Sequence, residues 1–428
     1  MYSYPPLVDI GYSLPYVAVF CMYLCAYLIS GSKTWKQYFN YSHAVFFVLL
    51  VYFIFVGFRG YICTDWYNYY PMFRETPCLL DFDEFVSYSN SVFTEKGYLF
   101  YISLFKVFCN DYVVFQAFSV LIDLVLIHLC IKRYSPNYLF TFLILSVFFY
   151  VQSVNLNRNV KSVLLFLYAL RYIEERKFWK YSLLNLIGLW AEVVSNTKRL
   201  FYFCLQIHIN SYAHETICFH SISLIFFVLY FFLRHKISVR TLWIVFIFSN
   251  IYYFSQIQLF SLIATAIDGM IGGKVGHAIH FYLAKEGAVR FSTVSIGSLE
   301  RLTTFIVLIL NYNKVCATFK YGKYFTNMML LYLLCYLIFN ELPILVTRFS
   351  QQFGFAYGIF YSYIISLYGN SKNIAIYKTA ICCYLLLWTF STHRQLMDKY
   401  DNFLFRHQSF EERARVYDHY GSAYLGMD

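Results

Sequence analysis

Three arginines stand at the ends of apolar runs: Arg59 after residues 41–58, Arg158 between 138–151 and 163–170, and Arg348 before 351–369. A charge beside hydrocarbon is costly, so those that persist there tend to bind or react. The guanidinium is a planar fork that takes phosphate oxygens two at a time. Lys161 follows Arg158 by three residues, which puts both on one face of a helix descending from that point. A helix N-terminus with two cations suits a pyrophosphate, because dipole, free N–H groups and fixed charges add together. Beside Arg59, "FRGYICTDWYNYY" (58–70) supplies Asp65, Tyr69 and Tyr70. Aromatic faces stack on sugar rings and tyrosine hydroxyls bond sugar hydroxyls. The plainer reading of this stretch is a snorkelling arginine among interfacial tyrosines.

Other candidates are scattered. His220 in "CFHSIS" is a base or a sugar- or phosphate-binding group, or an ordinary interfacial histidine. Glu95 opens "EKGYLF" and suits the cap of the short helix after it. Lys274, His277, His280, Lys285 and Arg290 share a glycine-containing stretch, a lid over a polyanion or a solvated loop. "DFDE" (81–84) reads as a solvated acidic loop. No Cys/His set has zinc spacing, so no metal and no cofactor are expected. Cys63 and Cys78 fall in one proposed loop, close enough in sequence to form a disulfide.

The elements that position these residues follow from hydropathy. Of 428 residues, 60% are hydrophobic and 13% charged, and the mean hydropathy is +0.52. A soluble chain carries about 25% charged residues. The apolar residues come in blocks of about 15–22, the length of membrane spans. The expected fold is therefore all-α, a polytopic transmembrane helical bundle of about 12 spans. These run roughly over 11–30, 41–58, 111–131, 137–155, 159–175, 181–195, 217–233, 241–258, 299–313, 324–343, 351–369 and 373–392, with a shorter amphipathic stretch at 94–110. They form one domain over 1–392, with outer loops 59–95 and 259–298 and a polar C-terminal tail at 393–428. The stretch 191–216 reads equally as a loop, a re-entrant segment or a sequence artefact. The N-terminus lacks the basic start of a cleavable signal peptide.

Charge orients the bundle. The loops at 33–36, 132–137, 171–180, 234–240 and 314–323 are short and rich in Lys and Arg, which places them in the cytoplasm and both termini outside. The net charge of +11 suits this bias and an anionic, lipid-linked substrate. With no phosphate loop and no basic tail, nucleic-acid binding is not expected.

"GFRGYICTDWYNYY", "EKGYLF", "LNRNVKSVLLFLYALRYIEERKFWKY", "FHSIS", "GSLERL" and "TRFSQQF" occur in an order that resembles the EpsG family of Wzy-like polysaccharide polymerases, over roughly residues 50–370. Cys63 stands where that family usually has glycine, and Asn159 where it often has glutamine. The resemblance implies a metal-independent membrane glycosyltransferase of GT-C architecture at the outer face of a bacterial cytoplasmic membrane. It would transfer an undecaprenyl-pyrophosphate-linked glycan onto a lipid-linked repeat unit, making O-antigen, capsule or exopolysaccharide. Partners would be that lipid-linked oligosaccharide, the bilayer, a chain-length regulator and other polysaccharide-assembly proteins. In such a reaction Arg158 and Arg348, then Arg59, would take up the leaving-group charge. Asp65, or else His220 or Glu95, would be the base if configuration inverts. Tyr69, Tyr70, Lys161 and Arg290 would bind substrate. An O-antigen ligase, a flippase of lipid-linked oligosaccharide and a membrane scaffold are the competing readings.

Overall fold

The computed structural model describes residues 5–32, 40–92, 96–148, 154, 157–193, 225–255, 257, 259, 294–341, 343–369, 371–405 and 407–424. Among these the chain is helical, joined only by two isolated antiparallel bridges, Val8 with Gln395 and Arg59 with Asn402. It divides into two compact units.

The first unit comprises Met1–Ala169, Leu183–Thr197 and Tyr368–Gly421. It contains α1 (Leu14–Gly31), α2 (Tyr41–Tyr52) with a π-helical turn at Phe53–Gly57, and α3 (Trp66–Glu75). Next come α4 (Phe82–Ser91), α5 (Lys96–Lys106), α6 (Tyr112–Tyr134) and α7 (Tyr138–Phe148). Most of α8 (Asn157–Glu174) and part of α9 (Phe178–Val193) follow, and the unit closes with α16 (Lys372–Thr392) and α17 (Phe410–Tyr424). Local chemistry starts several of these helices. Asn40, Asp111 and Ser371 are N-caps whose side chains accept the amides of His43, Val114 and Ile374. Helix α1 packs on α2, α7 and α16, with Tyr23 and Tyr52 both edge-on to Phe142. Helix α6 packs along the π-turn, where Gln116 Nε2 donates to the Gly57 and Arg59 carbonyls at 3.0 and 2.7 Å.

The second unit holds Leu170–Ser182 and Lys198–Leu367. Its helices are α10 (Ile225–Arg234), α11 (Val239–Ser255), α12 (Ile296–Thr318), α13 (Gly322–Ile338), α14 (Pro343–Phe353) and α15 (Phe355–Tyr368). Helix α13 is central, packed on α10, α11, α12 and α14. The buried Asn327 donates to the His235 carbonyl at 2.9 Å and accepts the Tyr312 hydroxyl at 2.9 Å, tying α12 and α13 to the end of α10.

Each expected span overlaps a described helix, although 137–155, 181–195, 217–233, 241–258 and 324–343 are described only in part. Among the described residues three helical stretches are long and apolar enough to cross a membrane: Ile10–Gly31, Tyr112–Tyr134 and Lys372–Thr392. Tyr41–Gly57, Tyr138–Phe148, Ile225–Arg234 and Phe355–Tyr368 are apolar and shorter.

Within the expected outer loop 59–95 lie α3 and α4: Trp66, Tyr69 and Phe73 recur at helical spacing and are buried, as is Phe85 in α4. The polar C-terminal tail buries Leu396, Met397, Val416 and Arg413 within the first unit. A few apolar residues at the right spacing outweigh a polar average. Cys63 and Cys78 are both free thiols, not a disulfide.

Candidate functional site

The loop 58–65 is held from below and above. From below, Gln116 clamps the Arg59 carbonyl. From above, the chain beyond α16 lies antiparallel across it. Gly60 N donates to the Asp401 carbonyl (2.8 Å), Phe403 N to the Phe58 carbonyl (2.8 Å) and Cys63 N to the Met397 carbonyl (2.8 Å). Asn402 Nδ2 donates to the Ile54 carbonyl at 3.1 Å and the Tyr400 hydroxyl to the Phe55 carbonyl at 2.9 Å, which occupies carbonyls around the π-turn. Arg413 of α17 is 2% exposed and donates Nε to the Tyr61 carbonyl and Nη2 to the Leu396 and Met397 carbonyls, at 2.9–3.1 Å. Gly60 must be glycine: a Cβ there would sit 2.2 Å from Asp401 Oδ2. Cys63 adopts a left-handed φ of 64°, a conformation glycine takes without cost. Its thiol lies 3.6 Å from Asp398 Oδ1. Burial, then the Asp398 charge, push the thiol well up, so it is no thiolate nucleophile.

Arg59 is 3% exposed. Its Nη1 donates to the Val56 carbonyl (2.7 Å) and its Nη2 to the Val154 carbonyl (3.1 Å). Val154 lies just ahead of α8, so Arg59 joins the loop to the start of that helix. Arg158 is the second residue of α8; its side chain lies outside the described residues. Lys161, one turn on, points into the unit. Its ammonium donates to Ser119 Oγ at 2.7 Å and pairs with Asp123 Oδ2 at 3.2 Å, with the Tyr101 ring 5.8 Å away. Asp123 is 2% exposed, and its Oδ1 is buried without a hydrogen-bond partner. The charges of Lys161 and Arg59 both act on this carboxylate.

Asp65 occupies the N-cap of α3, and its side chain makes no capping bond there. It is half-buried, and its carbonyl accepts the Asn68 and Tyr69 amides. The Tyr417 phenol of α17 is pushed up by burial and then by the Asp65 charge, which places the C-terminal helix beside this carboxylate. Tyr69 is enclosed, 4% exposed, with its ring 5.6 Å from Tyr98. Tyr70 is half-buried between Phe410, Tyr112 and Tyr61. Tyr69 thus belongs to an aromatic core built by α3, α5, α6 and the C-terminal segment. Packing wins because a ring at helical spacing beside other rings buries more apolar area inward than outward. Tyr67 is also half-buried, stacked 4.6 Å from Tyr417 and donating its hydroxyl to Asp418 at 3.0 Å.

Arg348 lies in α14, its side chain outside the described residues. Glu95, His220 and Arg290 are themselves outside them. Arg59, Asp65, Lys161 and the start of α8 are thus brought into one unit. Among the described residues no group of three His, Cys, Asp or Glu forms a metal site. Sequence reasoning missed Asp123, although a carboxylate inside a 23-residue apolar helix is itself a signal. It also missed Tyr400, Asp401, Asn402 and Arg413, which carry no signal without the fold.

No curated protein and no solved structure matches the chain. The model of the EpsG family matches residues 44–409, from the first turn of α2 to just before α17. The match takes in the clamped loop, α8, α14 and the segment that crosses the loop. It spans most of the 428 residues, and the chain belongs to the EpsG family.

Proposed function

We propose that this membrane protein is a polysaccharide polymerase. It transfers a glycan from undecaprenyl pyrophosphate to a lipid-linked repeat unit at the outer face of the cytoplasmic membrane. One observation carries the reading: the Arg59 guanidinium bonds the Val154 carbonyl, four residues ahead of Arg158 and seven ahead of Lys161. The loop of the family motif and the cation-bearing start of α8 thereby act as one piece. A pyrophosphate at that helix start meets free N–H groups, the helix dipole and Arg158. As the anomeric C–O bond breaks, its electron pair passes to the pyrophosphate oxygen, and these positive groups stabilise the charge. The acceptor hydroxyl forms the new bond and gives its proton to Asp65, with His220 and Glu95 the alternatives if transfer inverts configuration. Retention needs no such base. Arg348 supplies a second phosphate contact, and Arg290 is a further substrate-binding cation.

The buried Lys161–Asp123 pair favours a flippase instead, because it lies among the helices. The deciding experiment compares surface polysaccharide from cells lacking the gene, complemented with wild type or with Arg158→Ala. Single repeat units in both the deletion and the variant support the polymerase. Long polymer that stays on the carrier identifies a ligase, and lipid-linked units held on the cytoplasmic face identify a flippase.

A further inference from the structure

Three of the basic loops expected in the cytoplasm meet at one cavity in the second unit. It has a volume of about 460 Å³. Glu174 and Arg176 line it from the end of α8, Arg234 and His235 from the end of α10, and Lys323 and Tyr324 from the start of α13. The chain leaves α8 through a left-handed turn at Arg176, φ 55°, a conformation that residues with a Cβ rarely adopt. Arg176, Arg234 and Lys323 form no ion pair with any described residue. Arg234 and Lys323 rest on aromatic faces, each 5.4 Å from the ring centres of Tyr230 and Tyr324. A cation held on a ring keeps its N–H edges for oxygen acceptors. The cavity's single carboxylate, Glu174, accepts the Tyr324 hydroxyl. Three cations against one carboxylate leave a surplus of two positive charges in a concave wall, where a field is focused rather than dispersed.

We propose that this cavity binds a phosphate-bearing anion. Two sources share that chemistry. One is the headgroup of an anionic phospholipid in the adjoining leaflet, which basic pockets between membrane helices can hold. The other is a free pyrophosphate-type anion. Neither is the lipid-linked substrate of the outer face, so the two sites can fail separately.

Purified protein in neutral detergent tests this with two probes, labelled inorganic pyrophosphate by equilibrium dialysis and dioleoylphosphatidylglycerol retained in native mass spectra. The variants are Arg234→Gln/Lys323→Gln and Glu174→Gln, each checked for an unchanged melting temperature, with Arg158→Ala as the control at the other site. The double variant should weaken one probe by about tenfold or more, the loss of charge-assisted hydrogen bonds. Glu174→Gln, which removes the opposing charge, should tighten it, and Arg158→Ala should leave this component unchanged. Loss confined to pyrophosphate assigns a soluble anion; loss confined to the lipid assigns a headgroup. The proposal is overturned if neither probe binds, or if Arg158→Ala abolishes binding that the double variant retains. A double variant that fails to fold leaves Glu174→Gln decisive, since unchanged affinity there overturns the proposal as well.

Discussion

At the scale of single residues, the loop of the family motif is fixed by backbone constraints more than by its polar side chains. Gly60→Ala places a methyl group 2.9 Å from Asp401 Cβ, so a rotation of the carboxylate does not relieve the clash. The 2.8 Å bond from Gly60 N to Asp401 must lengthen. We expect a loss of about 2 kcal/mol, as for other overpacked sites, read as a lower melting temperature in detergent. Cys63 can be tested by a pair of variants. Both Cys63→Ala and Cys63→Gly delete the thiol, and only glycine removes the strain of φ 64°. The glycine variant should be the more stable of the two by about 1 kcal/mol; equal or reversed stabilities would show that the turn carries no strain. Asp65→Asn keeps the size and the N-cap position of the residue while removing a base. It should abolish polymer growth with normal protein levels in the membrane, and full activity would remove Asp65 from the chemistry.

Among the elements, the helices were legible and the clamp was not. Apolar blocks announce helices because each must cover its own backbone polar groups in hydrocarbon. The segment after α16 reads as polar by average, yet six of its residues (Met397, Tyr400, Asp401, Asn402, Phe403 and Arg413) bond the π-turn or the loop near Arg59 across more than 300 positions of sequence. Such pairing leaves no periodic trace. Arg158 illustrates a middle case: its place at a helix start follows from the sequence, whereas the inward aim of its neighbour Lys161 required Asp123 to be seen across the unit. The clamp is also sensitive to pH. Burial raises the Asp398 carboxyl from 3.8 to about 6 and raises Asp401 in the same direction. A carboxyl raised by folding stabilises the folded state when protonated, below its unfolded value near 4. That contribution is lost as pH rises through 6. Melting temperature should therefore fall between pH 5 and pH 7, and Asp398→Asn should flatten the fall. A rise over that interval would contradict the assignment. Arg413→Gln takes the guanidinium from the Tyr61, Leu396 and Met397 carbonyls, of which the last two keep the Lys399 and Cys63 amides. It should cost about 3 kcal/mol and release the segment to protease.

For the molecule as a whole, the two ends of the chain constrain the topology. Asp9 N donates to the Arg394 carbonyl at 2.9 Å, Leu396 N to the Leu7 carbonyl at 2.8 Å, and Tyr420 to the Pro5 carbonyl at 2.9 Å. In a bilayer, segments joined in this way outside the hydrocarbon would share one side, and the helices from α1 to α16 would then cross an even number of times, as the twelve expected spans would. The basic loops at 171–180 and 234–240 and the start of α13 add a second constraint, because their meeting at one cavity puts them on a common side. A periplasm-active phosphatase fused at residue 424 should be active, as should one joined ahead of residue 5, while fusions at 177, 236 and 321 should be silent. Opposite signals at the two ends would break the bridge between Val8 and Gln395 as a native contact. Removing 394–424 should then do more than shorten the chain. It strips the partners of Gly60, Cys63 and the π-turn at once, so the family loop loses its conformation and polymer growth stops even though every candidate cation upstream is intact.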